Sequence, residues 1–293
     1  MHIKNYIFII CVSALGIYLF REPSYNASLF NNSQLSTHFP KYIAHRALLK
    51  KNGDIANTLE SIQKCINSPI EGIEIDIRFS KDNVPFLFHG LLLEEEISNG
   101  TGIPEEYTWD QLKTFIYNDT KNSNIISLEK ALQIIGTKKI IFLDIKDVNL
   151  WNKLFAQSIT KLIDHYDLAK TAVVETFNPF FLYLMKTIAP HIMTGYDFTT
   201  NKNALTHDVQ VQFDTIPWIL TLPFVQKIIR RIVRPDILVP RWNIKESILQ
   251  SLIKHGYPVT AWTVDDSKKA QHLLNLGVKG IITNEPLKLM QNT

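Results

Sequence analysis

Short runs of β-branched and aromatic residues alternate along the chain with stretches whose apolar positions recur every three or four residues. The runs are Tyr42–His45, Ile73–Arg78, Ile140–Lys146, Ala172–Phe177, Ile192–Phe198, Asp236–Pro240, Pro258–Val264 and Gly280–Asn284. After the first, Asn57-Thr58-Leu59-Glu60 reads as a capping box, and Leu59, Ile62, Cys65 and Ile66 share one helical face. Trp151–His165, Asn178–Ala189, Lys245–His255 and Ser267–Leu276 also carry helical periodicity. Such alternation predicts βαβ units and a parallel sheet. Eight strand runs suit an α/β fold of the TIM (β/α)8 type, with an open doubly wound sheet as the alternative. No G-x-G-x-x-G follows the first run, which argues against a dinucleotide site.

The second run breaks the apolar rule of buried parallel strands. Ile73, Ile75 and Ile77 share one face, and Glu74, Asp76 and Arg78 share the other. Two carboxylates roughly 7 Å apart along a strand repel unless a cation offsets them. A divalent ion with oxygen ligands, Mg²⁺ or Ca²⁺, answers that need; a charged, solvated strand face is the plainer reading. The chain then turns at Lys81-Asp82-Asn83 and returns to His89. Polar residues also close other runs: His45-Arg46, Asp144 and Lys146, Thr176, Trp262 and Asn284. Barrel enzymes build their sites at these C-terminal strand ends.

Composition narrows the partners. The 45% apolar content of 293 residues supports a sizeable core, and a net charge of +3 is too mild to argue for nucleic acid. Cys11 and Cys65 make no disulfide framework or zinc spacing. Tyr6–Phe20 is an apolar run flanked by Lys4 and Arg21-Glu22. It is read as an uncleaved signal-anchor or transmembrane helix over residues 1–22, with a cleaved signal peptide as the alternative. A polar linker over 23–40 would lead to a catalytic domain over 41–293, placed outside the cytoplasm by the charge flanks. A second membrane contact is expected within 211–236. There Trp218, Leu220, Leu222 and Phe224 precede Lys227, Arg230, Arg231 and Arg234. A helix packed on the barrel is the alternative.

Glu74, Asp76 and Asp144 together make a hard-metal site, and Arg46 and Lys146 beside it make an anion trap. His45 and His89 then suit a base or nucleophile and a general acid in phosphodiester cleavage. Each residue has a plainer role: Lys146 pairing with Asp144, Arg46 bracing Glu74.

In order along the chain, these motifs resemble the glycerophosphodiester phosphodiesterase family. His45-Arg46-Ala47 stands for its His-Arg-Gly, Glu74-Ile75-Asp76 for its metal pair, and the stretch from Lys81 to Gly90 for its hairpin. Ser98–Gly102 resembles the start of its small insertion, here about 90–125, and Asp144-Ile145-Lys146 its Glu-x-Lys. Ala261–Val264 and Gly280–Pro286 resemble its last two strands. The resemblance implies a phosphodiesterase TIM barrel with His45 and His89 as catalytic pair. It assigns Glu74, Asp76 and Asp144 to the metal, Arg46 and Lys146 to phosphate, and Trp262 to the substrate pocket. It implies hydrolysis of glycerophosphodiesters or lysophospholipids to an alcohol and glycerol 3-phosphate or its acylated form. A non-catalytic phospholipid binder and a phospholipase C or sphingomyelinase D relative are the alternatives. The chain departs from the family at Ala47, at Ala56 where a carboxylate is missing, at Gly90 in place of Asp, and at the shorter Asp144.

Overall fold

The β-branched runs bury both faces, and this fixes the architecture. The computed structural model describes residues 22, 23, 25, 28–49, 54–118, 123–146, 149–200 and 218–292. The strands are β1 (Tyr42–Ala44), β2 (Gly72–Phe79), β3 (Pro85–Leu87), β4 (Ile140–Ile145), β5 (Ala172–Thr176), β6 (Met193–Phe198), β7 (Ile237–Pro240), β8 (Thr260–Ala261) and β9 (Gly280–Thr283). Eight of them pair in parallel in the order β7-β6-β5-β4-β2-β1-β9-β8; β3 folds back antiparallel on β2. Bridges from Leu238 to Val259 and from Arg241 to Trp262 join β7 to β8. The two ends of the sheet therefore meet in a nearly closed (β/α)8 barrel, not an open sheet.

Helices follow the strands: α1 (Leu59–Ile66), α2 (Leu128–Ile135), α3 (Lys153–His165), α4 (Pro179–Ile188), α5 (Pro223–Val233), α6 (Glu246–Lys254), α7 (Ser267–Asn275) and α8 (Pro286–Gln291). Two layers of apolar packing result. Ile73, Ile75 and Ile77 face outward into the cluster shared with α1 to α4, whereas Ile43, Phe142, Val173, Met193 and Val239 fill the barrel with Leu35. The N-terminal part of the barrel interior is thus apolar, and the polar strand ends collect at its C-terminal mouth.

Two local expectations change. The cap of α1 is Thr58, whose hydroxyl accepts from Ser61 N while the Ser61 hydroxyl accepts from Thr58 N. Asn57, at φ 58°, turns its amide to Asp76 instead. His45 lies beyond β1 in a short 3-10 turn, with Arg46 and Ala47 at φ 54° and 57°. Within the stretch 211–236, Pro223–Val233 is the barrel helix joining β6 to β7. Its Gln226, Ile229, Arg230 and Val233 are buried, and Glu22 grips Arg230 through both carboxylate oxygens at 2.6 and 2.9 Å. No helix among the described residues is long and apolar enough to cross a membrane. The signal-anchor reading of Tyr6–Phe20 lies outside the described residues.

Candidate active site

A pocket opens at the mouth. His45, Arg46, Glu74, His89, Asp144, Lys146 and Trp262 line it together with Glu175, Phe177 and Asp197. Asp76 sits behind this lining, fully buried. The structure therefore gathers all eight residues singled out from the sequence, from within β2 and β4 and from just beyond the ends of β1, β3, β4 and β8.

Register explains the convergence. Asp76 pairs with Asp144 across β2 and β4, and Asp144 with Glu175 across β4 and β5. Gly195 is the next partner in β6, and a Cβ there would lie 2.8 Å from Glu175 Cβ and 3.2 Å from Val239 Cγ2. Glycine leaves the room that Glu175 fills. Gly195→Ala is expected to lower stability by about 1–3 kcal/mol through overpacking and to displace Glu175. Denaturant unfolding checks the first effect; an unchanged midpoint would contradict it.

The imidazoles are held in defined roles. Asn284 Nδ2 donates to Asp265 Oδ2 at 2.9 Å, so Asn284 Oδ1 must accept from His45 Nδ1, 2.7 Å away. The Nε2 lone pair of His45 then faces the pocket, 3.9 Å from Glu74 Oε2. Burial, reinforced by the Arg46 guanidinium, lowers the His45 pKa to about 4. His89 also lies well below the usual imidazole range, chiefly through burial. Arg46 Nη2 donates to His89 Nε2 at 2.8 Å, and the backbone N–H of Arg46 donates to Glu74 Oε2 at 2.7 Å. Arg46 thus braces Glu74, through its backbone.

Charge is unbalanced at the mouth. Lys146 Nζ lies 2.5 Å from Asp144 and 3.2 Å from Asp76, while Arg46 Nε lies 3.4 Å from Asp76. Burial opposes the charge of Lys146, but Asp144, Asp76 and Glu74 outweigh it and hold the ammonium above its ordinary pKa. Burial likewise opposes ionisation of Asp76, and Lys146, His89 and Arg46 outweigh it. The remaining carboxylates lack such partners. Glu74, Glu175 and Asp197 are pushed well above the carboxylate range, first by burial and then by nearby carboxylates: Asp76 and Asp144 for Glu74, Asp197 and Asp144 for Glu175, and Asp144 for Asp197. Glu74, Asp144 and Glu175 present oxygens within 4.8 Å of one another. Glu74 Oε1, Asp144 Oδ1, Glu175 Oε2 and both Asp197 oxygens are buried without a hydrogen-bond donor among the described residues. Buried acceptors of one sign, with no donor, fit a divalent cation.

Three residues are missed by the sequence reading. Glu175 and Asp197 lie in two of the runs read as strands, where a lone acid in each run is the available signal. Glu96 is the third: its Oε1 accepts from Gly90 N at 3.0 Å and lies 3.9 Å from His89 Nδ1. A carboxylate therefore stands beside His89 although Gly90 carries none. Arg78 donates to the backbone oxygen of His89 at 3.2 Å and pairs with Glu105, fixing the return strand. Trp262 donates from Nε1 to Val239 O at 2.8 Å and meets Phe177 edge-on, forming the apolar wall.

The model of the glycerophosphoryl diester phosphodiesterase family matches residues 45–288. A glycerophosphodiester phosphodiesterase of Caldanaerobacter subterraneus is 22% identical over 254 residues, 85% of this chain and 95% of that protein. One of Bacillus altitudinis is 24% identical over 256 residues, 84% of this chain and 95% of that protein. Among solved structures, a phosphodiesterase of Oleispira antarctica in complex with the product sn-glycerol-3-phosphate is similar with a TM-score of 0.70 at 21% identity, covering 86% of this chain and 96% of that one. A glycerophosphodiester phosphodiesterase of Thermotoga maritima is similar with a TM-score of 0.63 at 19% identity, covering 87% and 99%.

Proposed function

The chain belongs to the glycerophosphoryl diester phosphodiesterase family and is a phosphoric diester hydrolase, and we propose that it cleaves glycerophosphodiesters of the choline or ethanolamine kind, or lysophospholipids, with a divalent ion. The observation that carries this reading is the fixed His45 tautomer facing a pocket lined by carboxylates, a guanidinium and an ammonium. Glu74 and Asp144, with Glu175 beside them, would hold Mg²⁺ or Ca²⁺; Asp76, the third ligand expected from the sequence, lies outside that group and would have to exchange Lys146 and Arg46 for the ion. When bound, the ion offsets charge on the phosphoryl oxygens.

The chain's own groups do the rest. Arg46 and Lys146 bind the phosphate oxygens, each exchanging a present partner for the substrate. His45 Nε2, neutral near pH 7, either takes a proton from the attacking water or attacks phosphorus itself, in which case water breaks the N–P bond in a second step once the alcohol has left. The bond from phosphorus to the alcohol oxygen breaks, and His89 supplies the proton that oxygen needs. Phosphate binding draws Arg46 away from His89 Nε2 and adds negative charge beside it, which favours the protonated ring. Trp262 and Phe177 wall the leaving group. The products are an alcohol and glycerol 3-phosphate or its acylated form.

Turnover of glycerophosphocholine and lysophosphatidylcholine by the purified protein tests this. EDTA should stop it and added Mg²⁺ or Ca²⁺ restore it. No turnover of either substrate with either ion would leave the barrel a phospholipid binder.

Stability should carry the same signature. In the metal-free protein the raised carboxylates hold protons that the unfolded chain releases. Their contribution is therefore present at low pH and lost as pH rises through the raised values. An ion that replaces those protons should raise Tm more at about pH 8 than at about pH 5.5. Equal shifts would mean that the ion binds elsewhere. For residues 1–22 we propose a membrane anchor that leaves 41–293 outside the cytoplasm, on the strength of the apolar run and Lys4. Protection of the barrel from protease added to intact cells would refute that placement.

A further inference from the structure

We propose that the mouth of the barrel seats on a lipid bilayer through an apolar arc built by the three consecutive connections after β4, β5 and β6. This rests on the reading that the pocket takes a phosphodiester, and it states where that diester is met. The exposed apolar residues are concentrated there. Trp151 and Leu154 come from the connection after β4, Phe180 from that after β5, and Trp218, Ile219 and Phe224 from that after β6; they are 43% to 65% exposed. The connections after β7 and β8 carry no exposed large apolar side chain among the described residues.

The strands beneath are neighbours in the barrel, so the connections adjoin. The rings show it: Trp151 lies 5.0 Å from Phe180, centroid to centroid. The turn Trp218–Thr221 is pinned to the end of β6, because Gln226 Nε2 donates to Thr199 O at 2.9 Å and to Leu220 O at 3.0 Å. Leu220 and Thr221 close a cleft with Phe177 and Asp197, which also line the catalytic pocket. The arc therefore borders the entrance. Clustered exposed aromatics oppose solubility unless something covers them, and tryptophan suits the boundary between headgroup and acyl chain.

The occupant is a bilayer because of how the chain leaves the fold. The apolar run Tyr6–Phe20 ends two residues before Glu22. Glu22 is locked to Arg230 on α5. Arg230 is six residues from Phe224, about 9 Å along a helix. The most apolar stretch of the sequence is thus joined, through Glu22, to the helix that carries part of the arc.

Tryptophan fluorescence tests this on the full chain. Residues 1–21 contain no tryptophan, and of the five in the sequence only Trp151 and Trp218 are exposed. In phosphatidylcholine vesicles with brominated acyl chains, fluorescence should be quenched relative to unbrominated vesicles. Trp151→Ser with Trp218→Ser should remove most of that quenching. Leu154→Ser with Ile219→Ser, which keeps both reporters, should reduce it. The tryptophan double variant should also lose about tenfold in turnover of vesicle-borne lysophosphatidylcholine while keeping that of soluble glycerophosphocholine. No quenching of the wild type, or the same fractional quenching in the tryptophan variant, would overturn the proposal. So would a self-associated form in sedimentation that the double variant abolishes, which would give the face to a second copy. Quenching needs no turnover, so an inactive but quenched protein would sink the hydrolytic reading and leave the arc standing.

Discussion

His45→Ala is expected to lower kcat by about 10²–10⁴-fold for every phosphodiester the protein takes, the range of a lost general base or more. The ring is not free to be replaced by a neighbour. Asn284 fixes Nδ1, burial and Arg46 keep the ring neutral, and Nε2 is aimed into the pocket. His89→Ala should cost a similar factor for alcohol leaving groups but much less for a p-nitrophenyl diester, whose leaving group needs no proton. The contrast assigns the roles: His45→Ala should be insensitive to the leaving group. A second check is pH. Because its pKa is lowered to about 4, His45 loses its lone pair only as pH falls through that region. The acid limb of kcat/KM assigned to this group should therefore lie well below the ordinary imidazole value of about 6.5. If both variants respond alike to the leaving group, the division of labour is wrong.

Much of this site is legible in the sequence, for an identifiable reason. Glu74 and Asp76 stand out because they alternate with three isoleucines, so strand parity places them inside a barrel whose outer face is apolar. His45, Asp144, Lys146 and Trp262 follow from strand-end positions. What parity leaves open is a strand buried on both faces. In Ala172–Thr176 and Met193–Phe198 either set of alternate residues could face inward, so Glu175 and Asp197, each the sole acid of its run, carry no directional signal. Glu96 is a different case. It reaches His89 only through the fold of the stretch after β3, which has neither helical nor strand periodicity. Asn57 shows the same limit at short range. Its sequence context reads as a helix cap, but a tertiary demand, the buried Asp76 carboxylate, takes its amide.

Glu175→Gln should move stability in opposite directions with and without the divalent ion. Without the ion, Glu175 is a buried carboxylate next to Asp197, Asp144 and Glu74, and its ionisation is opposed first by burial and then by those charges. A neutral amide of the same shape relieves that cost, so the metal-free variant should melt higher by a few degrees. About 1 kcal/mol corresponds to roughly 2–4 °C for a domain of this size. With the ion, the same change removes a charged oxygen from the group that gathers within 4.8 Å. Affinity for Mg²⁺ or Ca²⁺ should then fall by about 10–100-fold, and activity should return at proportionately higher ion concentration. A purely structural role predicts something else: a lower Tm in both states and no rescue by added metal. Asp197→Asn separates the remaining possibilities, since Asp197 lies outside that three-carboxylate group. It should relieve repulsion in the metal-free protein in the same way but shift the ion titration less than Glu175→Gln does. An equal shift would mean that the ion sits deeper along β5 and β6 than Glu74 and Asp144 place it.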